Sequence, residues 1–255
     1  MNDTSRPLAG RVALVTGSGR NVGAAIAMHL SRAGAAVAVN GHRDTEALQR
    51  IEDRLRERGG QACVAIGNVG KSAEVDRMVR HIEETLGSID IVVSNAAIRP
   101  MHALLDITDE DWNRVIATNL SASFFLARRT LPGMLRNKWG RFIHISGLDG
   151  FTGHMPLRAH NVACKAGVVA LAKAIAREFG GQGITANTVA PGAIDTERDW
   201  SQYAHFDIDE VLKDIPVSRL GTVDDVAQAC VYLSTDAASF VSGQTIHVNG
   251  GQYMF

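Results

Sequence analysis

A glycine-rich stretch near the N-terminus has the composition of a phosphate-binding loop. Residues 16–23 read TGSGRNVG, directly after an apolar run and directly before a helical pattern. Gly17 can take a positive φ or let another backbone approach closely, and Gly23 would let the helix pack against the strand. The free N–H groups and the positive dipole end of that helix would then face a pyrophosphate. A plain tight turn is the alternative, but the position between strand and helix favours nucleotide binding.

Composition argues against several other functions. The nine histidines show no HExxH or similar spacing, so we expect no metal site. With 26 basic and 27 acidic side chains the net charge is −1, which disfavours binding of nucleic acid through a basic face. Cys63, Cys164 and Cys230 are far apart and form no CxxC, which is typical of thiols in a reducing cytoplasm. We expect a cytoplasmic protein, since we find no signal-peptide pattern and no apolar run near the roughly 20 residues that cross a bilayer.

The elements that must position the glycine loop alternate along the 255 residues. Seven short apolar runs predict strands, at residues 11–16, 35–40, 61–66, 89–94, 141–146, 184–189 and 244–248. Longer amphipathic stretches predict helices, at residues 21–33, 45–58, 72–86, 108–136 (interrupted near Pro132), 159–179 and 223–233. This alternation indicates an α/β fold: a Rossmann-type, doubly wound parallel sheet of about seven strands with helices on both faces. We expect one dinucleotide-binding domain over residues 1–255.

Short motifs follow one another in a characteristic order along residues 10–251. The segments are 16–23 (TGSGRNVG), 94–97 (SNAA), 118–120 (TNL), 191–192 (PG) and 242–251 (SGQTIHVNGG). In this order they resemble the short-chain dehydrogenase/reductase family, whose pattern TGxxxGxG is matched except that Asn21 replaces the middle glycine. The resemblance implies a nicotinamide cofactor and a homotetramer, or at least a homodimer. Its expected contacts are the helices around 108–136 and 159–179 and the last strand.

The resemblance also implies a set of catalytic positions, and two of them depart from the family pattern. Lys165 and Asn119 match the family's lysine and asparagine, but Asn161 stands where the proton-transferring tyrosine is expected. Gly147 aligns with the family's serine, and Ser146 lies one residue early. A carboxamide is no proton donor near neutral pH, so another group must supply the proton.

His160 is one candidate for that proton donor, because imidazole titrates in the right range. One residue turns a side chain by about 100° on a helix, however, so His160 could equally be a helix-start residue bonded to a loop carbonyl. Asp149 and His154 are weaker candidates. The expected catalytic residues are Lys165, Asn119, His160, Ser146 and Asn161.

The residue types after the second strand favour NADP(H) over NAD(H). An acidic residue there would bind a ribose 2′-OH, but the chain reads Asn40, Gly41, His42 and Arg43 before Asp44. Arg20 and Arg43 could hold a 2′-phosphate by charge-assisted hydrogen bonds. The residues expected to bind cofactor are Gly17, Ser18, Gly19, Arg20, Asn21, Val22, Gly23, His42, Arg43, Asn68, Val69, Asn95, Ala96, Ala97, Lys165, Pro191, Gly192, Ile194 and Thr196.

A stretch without clear period, residues 192–216, is expected to cover the substrate as a lid. Its aromatic and imidazole side chains favour a small apolar or aromatic substrate, and Arg99 or Arg158 could meet a carboxylate. Three functions stay open: an NADP(H)-dependent oxidoreductase of a carbonyl or alcohol, a nucleotide-binding protein with non-redox chemistry, and a binding or regulatory protein. The lid residues concerned are Trp200, Tyr203, His205 and Phe206.

Overall fold

A seven-stranded parallel sheet forms the centre of the computed structural model, which describes residues 6–153, 155–197 and 208–255. The strands are β1 Val12–Val15, β2 Ala36–Gly41, β3 Ala62–Ile66, β4 Ile91–Ser94, β5 Gly140–Ile145, β6 Ile184–Pro191 and β7 Thr245–Val248. Their order is β3-β2-β1-β4-β5-β6-β7, so the direction of winding reverses between β1 and β4. The expected Rossmann-type architecture is confirmed, and the reversal is where such sheets bind ligands.

Helices cover both faces of this sheet. They are α1 Asn21–Arg32, α2 Thr45–Glu57, α3 Ser72–Leu86, α4 Asp109–Ile116, α5 Ala122–Asn137, α6 Asp149–Thr152, α7 Ala159–Phe179, α8 Ile208–Lys213 and α9 Val223–Ser234. Alternate strand residues enter two separate apolar cores: Ala13 and Val15 pack with α1, α2 and α9, whereas Val12 and Leu14 pack with α3, α5 and α7. Burial on both faces explains why the strands read as continuous apolar runs.

The helical region 108–136 is interrupted, but not where the sequence predicts. Pro132 lies inside the continuous helix α5, and its side chain is exposed. The proline removes one backbone hydrogen bond on the solvent side, where water replaces it at lower cost. The break is instead a π-helical turn at Ala117–Ser121, between α4 and α5. Such turns occur often at functional sites, and this one carries Asn119.

Three further findings bear on the earlier expectations. The stretch 192–216 contains a short helix, α8, whose six residues are too few to give a periodic pattern. The three cysteines are unbonded and buried. Of the helices in the described part of the chain, none has the length and apolar character to cross a membrane.

Candidate functional site

The glycine loop after β1 is packed so closely that side chains are excluded from two of its positions. Gly17 has φ +63°, and a Cβ there would lie 2.9 Å from Ala96 Cα. A Cβ on Gly23 would lie 2.2 Å from Gly17 O, which no structure tolerates. At Gly19 the nearest atom would be at 3.4 Å, an ordinary contact. The loop therefore needs glycine at residues 17 and 23. At residue 19, on the outer side of the loop, a larger side chain would fit.

Two polar side chains tie this loop to the loop after β4. Thr16 Oγ1 accepts the backbone N–H groups of Asn95 and Ala96, at 2.9 and 3.0 Å. Asn95 Nδ2 donates in return to the carbonyl oxygens of Thr16 and Gly17, at 2.9 and 3.1 Å. Thr16 is fully buried. The glycine loop and residues 95–97 consequently form one rigid wall, in which the predicted residues Asn95, Ala96 and Ala97 lie beside the loop.

Asn21 begins α1 in a left-handed conformation, with φ +50°. Asparagine tolerates this region better than most residues other than glycine. Its side chain pairs with the backbone of Glu197, since Nδ2 donates to the carbonyl oxygen at 2.9 Å and Oδ1 accepts the N–H at 3.0 Å. The side chain of Arg20, the N-cap residue, accepts no hydrogen bond from the first turn of α1. The first N–H groups of α1, next to Val22, could therefore donate to a bound anion.

Asn40 connects the ends of three strands. The sequence analysis named it only because it is not acidic. Its backbone N–H donates to Ser18 Oγ at 2.9 Å, and its Nδ2 donates to the carbonyl oxygens of Ala65 and Gly67, at 2.8 and 3.1 Å. Asn40 is 1% exposed. A polar residue closing an otherwise apolar strand was the signal that could have identified it.

Beyond β2, the expected phosphate-binding side chains are exposed: His42, Arg43 and, from the glycine loop, Arg20. The nearest acidic residue, Asp44, caps α2 by accepting the N–H of Ala47 at 2.9 Å.

On the next loop, Asn68 Oδ1 accepts the N–H of Gly70 at 2.9 Å, so the carbonyl half of this side chain serves the turn. Val69 beside it is buried.

The residues after β6 lie beside the start of α1, where Asn21 binds the backbone of Glu197. Gly192 approaches Asn249 so closely that a Cβ would lie 2.7 Å from Asn249 Cβ. Ile194 forms a β-bridge with Gly221. Pro191 ends β6, and Thr196 precedes the residue that Asn21 binds. This group therefore lies at the same carboxyl edge of the sheet as the glycine loop.

Three of the predicted catalytic residues form a row on α7 and the π-turn. Asn119 Nδ2 donates to Asn161 Oδ1 at 3.1 Å, and its amide pairs with the N–H and carbonyl of Ile98, at 2.9 and 2.8 Å. One turn beyond Asn161, Lys165 Nζ donates to the carbonyl oxygen of Ile145 at 2.6 Å. Lys165 is 4% exposed, and burial, with Arg99 adding to it, lowers the pKa of its ammonium to about 7.

Ser146 and His160 are both turned to local partners. Ser146 Oγ donates to the backbone carbonyl of Lys165 at 2.9 Å and is buried. His160 is fully buried, and its Nδ1 accepts the N–H of Asn161 at 3.0 Å. Beyond its chain neighbours, no described atom lies within 4 Å of where a Cβ on Gly147 would be. The position that the resemblance assigns to a serine is therefore open space.

The two arginines considered for a substrate carboxylate come from two different loops. Arg158, at the start of α7, is buried, with Nη1 3.9 Å from Asp149 Oδ2 and Nη2 3.7 Å from Met101 Sδ. Arg99 lies in the loop after β4. Other side chains of the sequence analysis lie outside the described residues: His154, Trp200, Tyr203, His205 and Phe206.

His144 is a buried titratable residue that the sequence analysis did not single out. It lies in β5 between Ser94 of β4 and Thr188 of β6, and neither ring nitrogen has a hydrogen-bond partner among the described residues. Burial, with Lys165 contributing, lowers its pKa to about 4, so the ring is neutral. Its signal in the sequence was an imidazole in the middle of the apolar run of residues 141–146.

These features fit a dinucleotide phosphate. The loop admits a close backbone approach, the N-terminus of α1 is uncapped by Arg20, and cationic side chains lie beyond β2. A nicotinamide cofactor bound there would supply hydride transfer, and the row of Asn119, Asn161 and Lys165 would lie at the same edge of the sheet.

Comparison with known proteins agrees with this geometry. Residues 17–252 match a family model described as enoyl-(acyl carrier protein) reductase. The chain is 37% identical over 243 residues to a 3-oxoacyl-(acyl-carrier-protein) reductase of Staphylococcus epidermidis, covering 95% of this chain and 98% of the relative. The corresponding enzyme of Escherichia coli is also 37% identical, covering 96% and 98%.

A solved structure extends the likeness to three dimensions. A gluconate 5-dehydrogenase from Burkholderia cenocepacia, in complex with NADP and tartrate, superposes with a TM-score of 0.90 at 33% identity, covering 98% of this chain and 97% of that one. Sequence, fold and relatives agree, and the chain belongs to the short-chain dehydrogenase/reductase family of NAD(P)-dependent oxidoreductases.

Proposed function

We propose that this protein interconverts a carbonyl and an alcohol on a small substrate, uses NADP(H), and takes its proton from a group other than tyrosine. The observation that carries the proposal is the row of Asn119, Asn161 and buried Lys165 beside an intact glycine loop. The amide of Asn119 fixes Asn161 in place, and Asn161 Oδ1 is occupied by that bond. Lys165 adds an amine whose pKa is lowered to about 7 by burial.

The preference for NADP(H) over NAD(H) is supported by the charges beyond β2. Arg20 and Arg43 are exposed there, whereas Asp44 already accepts a hydrogen bond as the cap of α2. A 2′-phosphate would meet two guanidinium groups, and a ribose 2′-OH would lack a dedicated carboxylate. The relative solved with NADP is consistent with this assignment.

Cofactor preference is tested by titrating protein fluorescence with NADPH and with NADH. Replacing Arg43 by alanine should weaken NADPH binding by about tenfold, the value of one charge-assisted contact, and leave NADH binding within about twofold. Arg58→Ala, at the far end of α2, is the matched control. Equal loss for both cofactors would overturn the assignment of Arg43, and no binding of either would leave only a role without nucleotide.

Substrate class is tested with matched carbonyls. We propose a small apolar or aromatic substrate, because residues 192–216 carry several aromatic side chains. A carboxylate on that substrate would meet Arg99 or Arg158.

The test follows NADPH oxidation at about 340 nm with pyruvate, acetoacetate and benzoylformate, each compared with its ethyl ester. Faster reduction of the acids would support an arginine contact, and faster reduction of benzoylformate than pyruvate would support the aromatic preference. If NADPH binds and no carbonyl is reduced, the non-redox or regulatory function replaces this one.

A further inference from the structure

The charged end of Lys165 is enclosed between β5 and α7. Its Nζ donates to the carbonyl oxygen of Ile145 at 2.6 Å, and the side chain is 4% exposed. An ammonium has three N–H groups, and this bond uses one of them. Asn161 lies one helical turn earlier, about 6 Å along the axis of α7. Lys165 and the residue that stands where the family has its tyrosine therefore lie on successive turns of one helix.

Four titratable or charged groups face Lys165 from the elements around it. Arg99 comes from the loop after β4, Asp149 from α6, Cys164 from α7 itself and His144 from β5. Burial is the main cause of the lowered pKa, Arg99 adds to it, and Cys164 and Asp149 oppose it. An amine that is half protonated near neutral pH is suited to give and take a proton there.

Neighbouring side chains are less suited to that role. The Ser146 hydroxyl is committed to the carbonyl oxygen of Lys165, and the Asn161 amide does not titrate. His160 points its Nδ1 back to its own helix, and the ring is fully buried. His144 is kept neutral by burial. Space is available in front of Gly147, where a Cβ would meet no described atom within 4 Å beyond its chain neighbours.

We propose that Lys165 is the proton donor of this site and that it acts across the open space in front of Gly147, directly or through one water molecule. This inference rests on the proposed carbonyl reduction and names its acid. During reduction the carbonyl carbon gains a hydride with two electrons from the reduced nicotinamide, and the C=O π bond breaks toward oxygen. That oxygen gains the Nζ proton, the neutral amine regains a proton from water, and the cofactor is left oxidised. Oxidation of the alcohol runs in reverse, with the neutral amine as base.

The first test requires no turnover. The chain contains five lysines, at positions 71, 138, 165, 173 and 213, so NMR of protein labelled at lysine Cε should resolve each one. The Lys165 signal is the one lost in Lys165→Arg; if that variant does not fold, arginine replacements at the other four positions assign it by elimination. We expect a titration midpoint near 7, against about 10.4 for an ordinary lysine. A midpoint above about 9.5 would overturn the proposal.

The second test is the pH profile of reduction, measured with the fastest carbonyl of the acid and ester pairs. The protonated amine is the reactive form, so kcat/KM should be constant at low pH and fall tenfold per pH unit above about 7. Lys165→Arg keeps the charge but cannot release a proton, and should reduce kcat by about 100-fold or more and abolish that limb. Lys173→Arg, exposed two turns further along α7, is the matched control and should leave both unchanged.

The outcomes separate this inference from the function on which it rests. Loss of the pH limb in His160→Gln, with retention in Lys165→Arg, would transfer the role to the histidine. Absence of NADPH binding would defeat the proposed function whatever the lysine titration gives. NADPH binding and carbonyl reduction combined with a normal lysine titration would defeat the lysine donor alone. Absence of carbonyl reduction would defeat the proposed function, and the lysine donor with it.

Discussion

Asn161 is buried on α7, and its side chain accepts a 3.1 Å hydrogen bond from Asn119. In the proposed reaction a carboxamide at this position would leave proton transfer to a more distant acid. Open space before Gly147 leaves room for a serine side chain at that position. The two departures from the family pattern, at residues 147 and 161, can therefore be reversed by substitution.

Restoring both family residues should raise activity. We expect Asn161→Tyr combined with Gly147→Ser to increase kcat for carbonyl reduction by about tenfold or more, because a positioned general acid contributes roughly 10²–10⁴-fold. The measurement is the initial rate with NADPH and the fastest carbonyl. Asn161→Phe with Gly147→Ser has the same ring without the hydroxyl and is the control. Equal rates for the two double variants would show that a phenol at residue 161 transfers no proton.

His144 should make stability depend on pH. Its pKa is about 4 in the folded protein and about 6.5 when unfolded, so its contribution is complete above pH 6.5 and is lost as pH falls toward 4. Between pH 7.5 and 5 this costs about 2 kcal/mol, which follows from the two pKa values.

Urea unfolding at the two pH values measures that loss. His144→Asn should lose about 2 kcal/mol less than the unmodified protein over the same interval, since asparagine does not titrate. The comparison is made within each variant, so a difference in absolute stability does not affect it. Identical losses would mean that the folded protein protonates His144 without penalty.

Residue identity could be read from the sequence, but side-chain direction could not. The positions of Lys165 and Asn119 follow from spacing and family order. That Ser146 turns to a helix carbonyl and Asn21 to Glu197 depends on chain segments 19 and 176 residues apart. Local pattern holds no information about such contacts, because they form only when distant strands end at one edge.

At the scale of elements, the conformation of the glycine loop depends on its packing against the loop after β4. Gly23→Ala would place a Cβ 2.2 Å from Gly17 O, so backbone must move. We expect a loss of about 3 kcal/mol or more in unfolding free energy, as for strong overpacking. Gly19→Ala, whose Cβ would meet only ordinary contacts at 3.4 Å, is the matched control and should cost less than about 1 kcal/mol.

Thermal and urea unfolding of the two glycine variants, without cofactor, measure this difference. Equal stabilities would show that the loop relaxes freely and that its close approach is not required by the fold.

Periodicity identified the elements well and their internal breaks poorly. The helices at 72–86 and 159–179 begin and end where predicted, since each has a continuous apolar face and a clear end. The break at Ala117–Ser121 went unrecognised because a π-turn changes the hydrogen-bond pattern without a proline or glycine to mark it. The break predicted near Pro132 is wrong for the opposite reason. Proline usually breaks a helix, but here the backbone hydrogen bond that it removes lies on the solvent side of α5.

At the scale of the whole molecule, several large apolar side chains are exposed on the elements from which the family resemblance implies contacts between subunits. Leu105 is 95% exposed just before α4, and Phe124 is 47% exposed on α5. Phe240 and Phe255, before and after β7, are 102% and 70% exposed. Burying such residues against a second copy removes apolar area from water at about 25 cal/mol per Å².

We therefore predict a homotetramer with two kinds of interface. Light scattering coupled to size-exclusion chromatography should give four times the mass of one chain. Phe124→Asp and Phe240→Asp should each reduce the particle to a dimer, because a charge is placed in a different interface in each case. A wild-type monomer at micromolar concentration would contradict the prediction.

The pairing of Asn21 with Glu197 has a consequence for how fast a bound nucleotide exchanges. The two hydrogen bonds join the start of α1 to the segment after β6, so any movement of that segment away from α1 has to break both. Their free energy would oppose such a movement. A glycine at residue 21, as in the family pattern, would remove the strain of the left-handed backbone. It would also remove both hydrogen bonds to Glu197. We therefore expect a bound nucleotide to leave this chain more slowly than it leaves the Asn21→Gly variant.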